Sequence, residues 1–268
     1  MLEFKSLSKV YPDGTRAANN VCFSVPEGQF CVLLGPSGAG KSTLLKTCNG
    51  LTDISYGSVE VDGIEVSPKT LRQARCCVGM IHQHFNLVPR LSVERNVLTG
   101  ALQEVNLLRA LLYLFPDSLR RKACELLASV GLEEQHLNKR ACEMSGGQQQ
   151  RIGIARAFIL DPKIVLADEP VASLDPKISR DVLEILFQAA RERGTTVLCS
   201  LHQVDLAEEF GDRIVAMKKG EVVFDGKPGE LSRDVLIEIY GEDPRDSRPC
   251  VEPQARQETR RESVPATC

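Results

Sequence analysis

No apolar run in the 268-residue sequence reaches the roughly 18 to 20 residues that a membrane-spanning helix needs. The longest leucine-rich stretch, Val105 to Phe115, is too short and contains Arg109. The opening residues, M-L-E-F-K-S-L-S-K, hold no signal-peptide apolar core. A membrane role is therefore expected to be peripheral and to run through a partner. The formal net charge is only -3, so no global basic field draws the chain to nucleic acid. Ten cysteines are present, yet none forms a C-x-x-C pair and no histidine pair sits at zinc spacing. Several lie inside apolar runs, such as Cys31 in F-C-V-L-L and Cys199 in V-L-C-S. Most are expected to be small buried hydrophobes of a reduced cytoplasmic protein. Internal repeats are lacking too. With 43% hydrophobic and 26% charged residues, the composition is that of a soluble globular chain. Its length suits one large α/β domain, or a core with an inserted lobe.

Short apolar runs alternate with helical patterns. Phe30 to Leu34, Cys76 to Ile81, Ile164 to Ala167 and Thr196 to Ser200 read as strands buried on both faces. Gly57 to Gly63 alternates and closes on Asp-Gly. Arg213 to Met217 and Glu221 to Phe224 flank Lys219-Gly220 as a hairpin. Helices are expected at Lys41 to Asn49, Ser118 to Val130, Gly146 to Leu160 and Pro176 to Arg193, the last with Asp175 as its cap. Between about residues 82 and 163 the pattern is nearly all helical, which describes an insertion in a mixed core. From Gly241 onward Pro, Arg and Glu dominate, and residues 242–268 are expected to form a disordered tail.

Three motifs carry chemistry. Gly35, Pro36, Ser37, Gly38, Ala39, Gly40, Lys41 and Ser42 spell G-P-S-G-A-G-K-S between an expected strand and helix. This is the spacing of a phosphate-binding loop. Glycines let backbone N–H groups approach the phosphates, and the helix N-terminus adds partial positive charge. Lys41 would reach the β- and γ-phosphates, and Ser42 would ligate Mg²⁺. The second motif is I-V-L-A-D-E, Ile164 to Glu169, which sets two carboxylates at the end of a parallel strand. Asp168 would hold Mg²⁺ through water, and Glu169 would act as general base. The third is S-G-G-Q, Ser145, Gly146, Gly147 and Gln148. It reads either as a second anion site at a helix N-terminus or as a plain helix cap.

In order along the chain stand the phosphate loop, Gln83 in I-H-Q-H-F-N-L, M-S-G-G-Q, I-V-L-A-D-E-P, S-L-D at Ser173 to Asp175, and His202. That series resembles the motif set of ATP-binding-cassette (ABC) ATPases over about residues 2 to 240. The resemblance implies an α/β P-loop NTPase fold, an ABC nucleotide-binding domain at 1–241. Its core would span about 1–84 and 157–241 with an antiparallel β subdomain, and its helical subdomain about 85–156. ATP and Mg²⁺ are the implied cofactors. Tyr11 resembles the aromatic residue on which adenine stacks, with an ordinary surface or core tyrosine as the alternative. Thr43 extends the nucleotide-binding set. Gln83 resembles the loop glutamine that contacts Mg²⁺ and the attacking water and senses the permease. Ser145 to Gln148 resembles the signature that completes the opposite subunit's site in a head-to-tail homodimer. Asp175 resembles the residue linking the two sites, and His202 the switch histidine on the γ-phosphate. Met144 departs from the usual Leu, a swap of similar volume. Tyr56-Gly57, where relatives carry Ser-Gly or Thr-Gly, touches nothing catalytic.

The implied partners are two permease subunits and a substrate-binding protein, not nucleic acid, with the chain on the cytoplasmic face of the inner membrane. A non-transport ABC protein usually carries a long coiled-coil insertion or a second cassette, and neither is present, which makes it the weaker alternative. An exporter or lipid-system ATPase stays open. The stretches G-M-I-H-Q-H-F-N-L-V-P-R-L-S-V-E-R-N-V-L, D-E-P-V-A-S-L-D-P-K and L-H-Q-V-D-L-A resemble the phosphonate importer branch. Phosphate, phosphite and polar amino-acid importers are the alternatives. Leu107 to Phe115 also resembles that branch, as a packing helix of the lobe or as a surface docking the permease.

Overall fold

The computed structural model describes residues 1–244. Its larger sheet has the strand order β10-β9-β3-β8-β7-β6. These strands are β3 (Phe30–Leu34), β6 (Val78–Ile81), β7 (Ile164–Asp168), β8 (Thr196–Ser200), β9 (Arg213–Lys218) and β10 (Glu221–Gly226). All pairings are parallel except β10 with β9. Every residue of β3, β7 and β8 is buried. Alternation decides which side each serves. Phe30, Val32 and Leu34 join the core beneath the helices, while Cys31 and Leu33 join the core shared with the second sheet. A strand with two buried faces is apolar through its middle, with polar residues such as Thr196, Ser200 and Asp168 only at the ends, which is why these runs read without alternation.

The second sheet is antiparallel, in the order β2-β1-β4-β5. It comprises β1 (Leu2–Val10), β2 (Arg16–Val25), β4 (Tyr56–Val61) and β5 (Ile64–Glu65). Phe4 and Phe23 pack ring to ring at 4.6 Å inside it. Asp62 and Gly63, at φ 51° and 75°, turn β4 into β5, and Lys219 and Gly220, at 50° and 84°, turn β9 into β10. Two consecutive positive φ values match the right-handed twist of a tight hairpin.

Helix α1 (Lys41–Cys48) follows β3, and α2 (Leu71–Cys76) precedes β6. Between β6 and β7 lie α3 (Val93–Leu98), α4 (Leu107–Leu111), α5 (Asp117–Ser129) and α6 (Gly146–Phe158). Val93, Val97, Leu126, Leu127, Ile152 and Phe158 give this lobe a core continuous with that of the large sheet. Helix α7 (Pro176–Arg193) ends on Gly194 in the left-handed conformation, where a side chain would be strained. Helices α8 (Val204–Phe210) and α9 (Arg233–Tyr240), which the residue pattern does not delineate, complete the described chain.

Three expectations change. Cys76 and Cys77 belong to the end of α2, the Cys77 N–H bonding the Ala74 carbonyl, so β6 starts only at Val78. Short apolar runs do not separate helix from strand. Of the described cysteines, Cys31, Cys48 and Cys199 are buried, Cys22, Cys76 and Cys142 are exposed, and Cys77 and Cys124 lie between. Burial thus follows the sheet core and α1, where it pushes the Cys31 thiol up to about 12. Asp175 does occupy the N-cap position of α7, but its side chain makes no cap hydrogen bond; Pro176 starts the helix. Of the tail expected at 242–268, residues 245–268 lie outside the described residues, with Cys250 and Cys268, while Asp243 is buried.

Gly79 marks how closely the sheet meets the lobe. A Cβ there would sit 2.4 Å from the Ala157 carbonyl oxygen of α6. Gly79→Ala is expected to cost about 1–3 kcal/mol by forcing β6 and α6 apart. Urea denaturation measures this, and an unchanged midpoint would contradict the close approach.

Candidate active site

The loop Gly35–Ser42 leaves β3 and enters α1. Its shape demands glycine at two points. A Cβ on Gly35 (φ 145°) would lie 2.2 Å from the Met217 carbonyl oxygen, and one on Gly40 (φ 104°) 1.9 Å from that of Ala17. The loop is thereby wedged between β9 and β2. No side chain caps α1, so its first-turn N–H groups remain available to an anion. Lys41 is only 4% exposed. Its Nζ donates to the carbonyls of Gly35 at 2.7 Å and Pro36 at 3.1 Å. Burial holds its pKa below the ordinary lysine value, and the charges of Glu169 and Asp168 oppose that fall. Thr43 Oγ1 lies 3.2 Å from the hydroxyl of Tyr11. The Tyr11 ring is half-buried in the β1–β2 turn, with Lys9 Nζ 5.1 Å from its centroid.

The register of the large sheet carries the two carboxylates to this loop. Leu33 pairs with Ser200, and Ser200 pairs with Asp168, so β3, β8 and β7 end side by side. Ser42 Oγ donates to Asp168 Oδ1 at 2.7 Å. Ser200 Oγ lies 3.2 Å from the same oxygen and accepts the Glu169 N–H at 2.9 Å. Glu169 takes a left-handed φ of 47°, which turns the chain sharply after β7. Its Oε1 stands 2.5 Å from His202 Nε2. Lys41, Ser42, Asp168, Glu169 and His202 are therefore gathered at one set of strand ends, the place where open parallel sheets take ligands. Ser42 and Asp168 offer hard oxygen donors in contact, the chemistry Mg²⁺ prefers.

Gln83 lies in the turn after β6, two residues beyond Ile81, which pairs with Ala167. It is half-buried and on the same edge as Asp168. The turn is held from below. Arg156 of α6 donates to the carbonyls of Phe85 at 2.9 Å and Asn86 at 2.6 Å. Both carbonyls belong to residues with φ above 50°. Ser200 and Arg156 are the two site residues that the motifs do not reveal. Ser200 is visible only as the polar end of an apolar strand, and Arg156 only as one more helical arginine.

Ser145 caps α6. Its Oγ accepts the Gln148 N–H at 3.3 Å while Gln148 Oε1 accepts the Ser145 N–H at 2.9 Å. This reciprocal capping box fixes the start of the helix. A Cβ on Gly147 would come 2.7 Å from Ile178 of α7, so the motif is seated on α7. Among the described residues, no hydrogen bond joins Ser145 to Gln148, or Asp175, to the phosphate loop. The starts of α1 and α6 are thus not joined by hydrogen bonds within one chain.

Residues 18–172 match the ABC transporter family. The chain is 54% identical over 240 residues to the phosphonates import ATP-binding protein PhnC of Hydrogenovibrio crunogenus, covering 90% of this chain and 88% of that one. It is 46% identical to PhnC of Staphylococcus aureus, covering 90% and 94%. Among solved structures it superposes on the dimeric ATP-binding cassette MJ0796 bound to ADP and Pi, with a TM-score of 0.74 at 34% identity over 85% of this chain and 99% of that one. It superposes likewise on CbiO1 of Clostridium perfringens, part of the ABC transporter complex CbiONQ, with a TM-score of 0.76 at 28% identity over 88% and 92%. With the phosphate loop, the paired carboxylates and the histidine assembled at one set of strand ends, and with these matches spanning most of its length, the chain belongs to the ABC transporter family.

Proposed function

We propose that this chain hydrolyses ATP to drive uptake of phosphonates by an importer, seated on the cytoplasmic face of the inner membrane. The observation that carries the catalytic part is the Glu169 carboxylate. It follows the Asp168–Ser42 contact by one residue and lies 2.5 Å from His202. The cargo assignment is supported by relatives named for phosphonates import at 54% and 46% identity.

The phosphates of ATP would lie along Gly35 to Ser42, cradled by loop N–H groups and the start of α1. Tyr11 would carry the adenine. Lys41 is already desolvated and supplies a fixed charge for the β- and γ-phosphates. Ser42, Asp168 and Gln83 would hold Mg²⁺, which when bound neutralises charge on the phosphate oxygens. Glu169 accepts the proton of the attacking water. His202, within hydrogen-bonding reach of Glu169, would align that carboxylate and face the γ-phosphoryl group as it passes from ADP to water. Positioning and charge neutralisation do most of the work in phosphoryl transfer.

One chain presents two anion sites but needs only one for each nucleotide. Ser145 to Gln148 therefore completes the site of a second copy, with Asp175 beside the junction. The copy-to-copy closure driven by ATP would be passed to two permease subunits, fed by a substrate-binding protein. Gln83 sits where core and lobe meet, which suits it to report the permease's state.

Glu169→Gln retains shape but removes the base. Its turnover is expected to fall about a hundred- to ten-thousandfold with ATP affinity unchanged. Ser200→Ala leaves the base in place but frees the Glu169 backbone, so it should lose less turnover than Glu169→Gln. Steady-state ATPase rates with nucleotide titrations compare the two, and full activity in Glu169→Gln would reject the assignment. For the cargo, the assembled importer in membranes should hydrolyse ATP faster when its binding protein carries an alkylphosphonate than with phosphate, phosphite or an amino acid. Stimulation by an amino acid and by no phosphonate would overturn the cargo while leaving the ATPase reading intact.

A further inference from the structure

The segment Leu107 to Phe115 reads L-L-R-A-L-L-Y-L-F, and α4 occupies its first half. Leu108, Leu111 and Leu112 fall at helical spacing on one face. An amphipathic helix ordinarily turns such a stripe toward the core. Here the three are 67%, 68% and 59% exposed, and Leu114 follows at 57%. The segment is nonetheless tied down. Asn106 caps α4 by accepting the Arg109 N–H at 2.9 Å, and Phe115 is buried in the lobe.

Beside this ridge lies a cavity of about 450 Å³ lined by Arg90, Arg95, Arg120, Arg140 and Tyr113. Glu94 is the one acid in its wall, and Arg120 Nε takes it at 3.1 Å. Arg95 rests on the Tyr113 ring, 5.2 Å from the centroid. Tyr113 therefore belongs to both features, joining an apolar ridge to a cationic hollow. Arginine guanidinium groups suit the oxygens of a phosphate.

We propose that this face of the helical lobe docks on an anionic phospholipid surface, the leucines entering the acyl boundary and the hollow receiving a phosphate headgroup. A single lipid satisfies both features at once, whereas a free phosphate leaves the ridge unused. The pairing of apolar and basic groups is that of interfacial membrane segments. The setting rests on the peripheral placement proposed above, but the contact is read without any permease.

The test is flotation of the full chain with vesicles of phosphatidylcholine alone and of phosphatidylcholine mixed with phosphatidylglycerol. Binding is expected only to the mixed vesicles and should weaken as salt rises. Arg90→Ala with Arg140→Ala should weaken it about thirtyfold. Leu108→Ser, Leu111→Ser and Leu112→Ser together should abolish it, with basal ATPase activity unchanged in both variants. If the triple variant misfolds, Leu108→Ser alone supplies the apolar arm and should reduce binding. Equal binding to both vesicle types, or none, overturns the proposal. So does displacement by inorganic phosphate as effective as by lipid. Variants that still bind vesicles but no longer co-purify with the permease would assign the face to protein and reject the lipid.

Discussion

The hydroxyl of Ser200 holds two neighbouring carboxylate residues in different directions. It lies 3.2 Å from Asp168 Oδ1 and takes the backbone N–H of Glu169 at 2.9 Å. Asp168 is thereby kept facing Ser42 at the mouth of the phosphate loop, while Glu169 is turned, at φ 47°, toward His202. An unpaired buried N–H at this point would cost about 1–3 kcal/mol, so the turn and the hydroxyl require one another. The chain of contacts from Ser42 to His202 exists only because β3, β8 and β7 end in register. Strands buried on both faces, with polar residues only at their ends, set that register, and the geometry of the site inherits it.

Much of this was legible in the sequence, for reasons that differ by residue. The phosphate loop is local: a lysine and serine at the start of a helix, with glycines where Met217 and Ala17 carbonyls leave no room for a Cβ. The two hairpins are local as well, since Asp62-Gly63 and Lys219-Gly220 must supply positive φ. Ser200 and Arg156 act across long sequence separations and have no local signature. The start of β6 was misplaced because Cys76 and Cys77 are as apolar as the strand that follows. The cysteines were overcounted as buried because residue type alone does not say which face of an element it occupies.

The lobe places its own chemistry beside the core without completing it. Arg156 fixes the turn after Gln83 by two carbonyl contacts, so movement of α6 and movement of that turn are linked. The same helix begins with the Ser145–Gln148 capping box, seated against Ile178 of α7. One helix thus holds the turn after Gln83 at one point and carries the Ser145–Gln148 capping box at its start. This arrangement supports a site made in halves, each copy offering its phosphate loop to the helix start of the other.

The central claim is that shared site, and sedimentation of the Glu169→Gln chain with and without ATP tests it most directly. The account predicts a monomer without nucleotide, a dimer with ATP, and a return to monomer when Ser145→Arg is added to block the helix start. A dimer that forms regardless of ATP, or that survives Ser145→Arg, would contradict a site completed by the second copy.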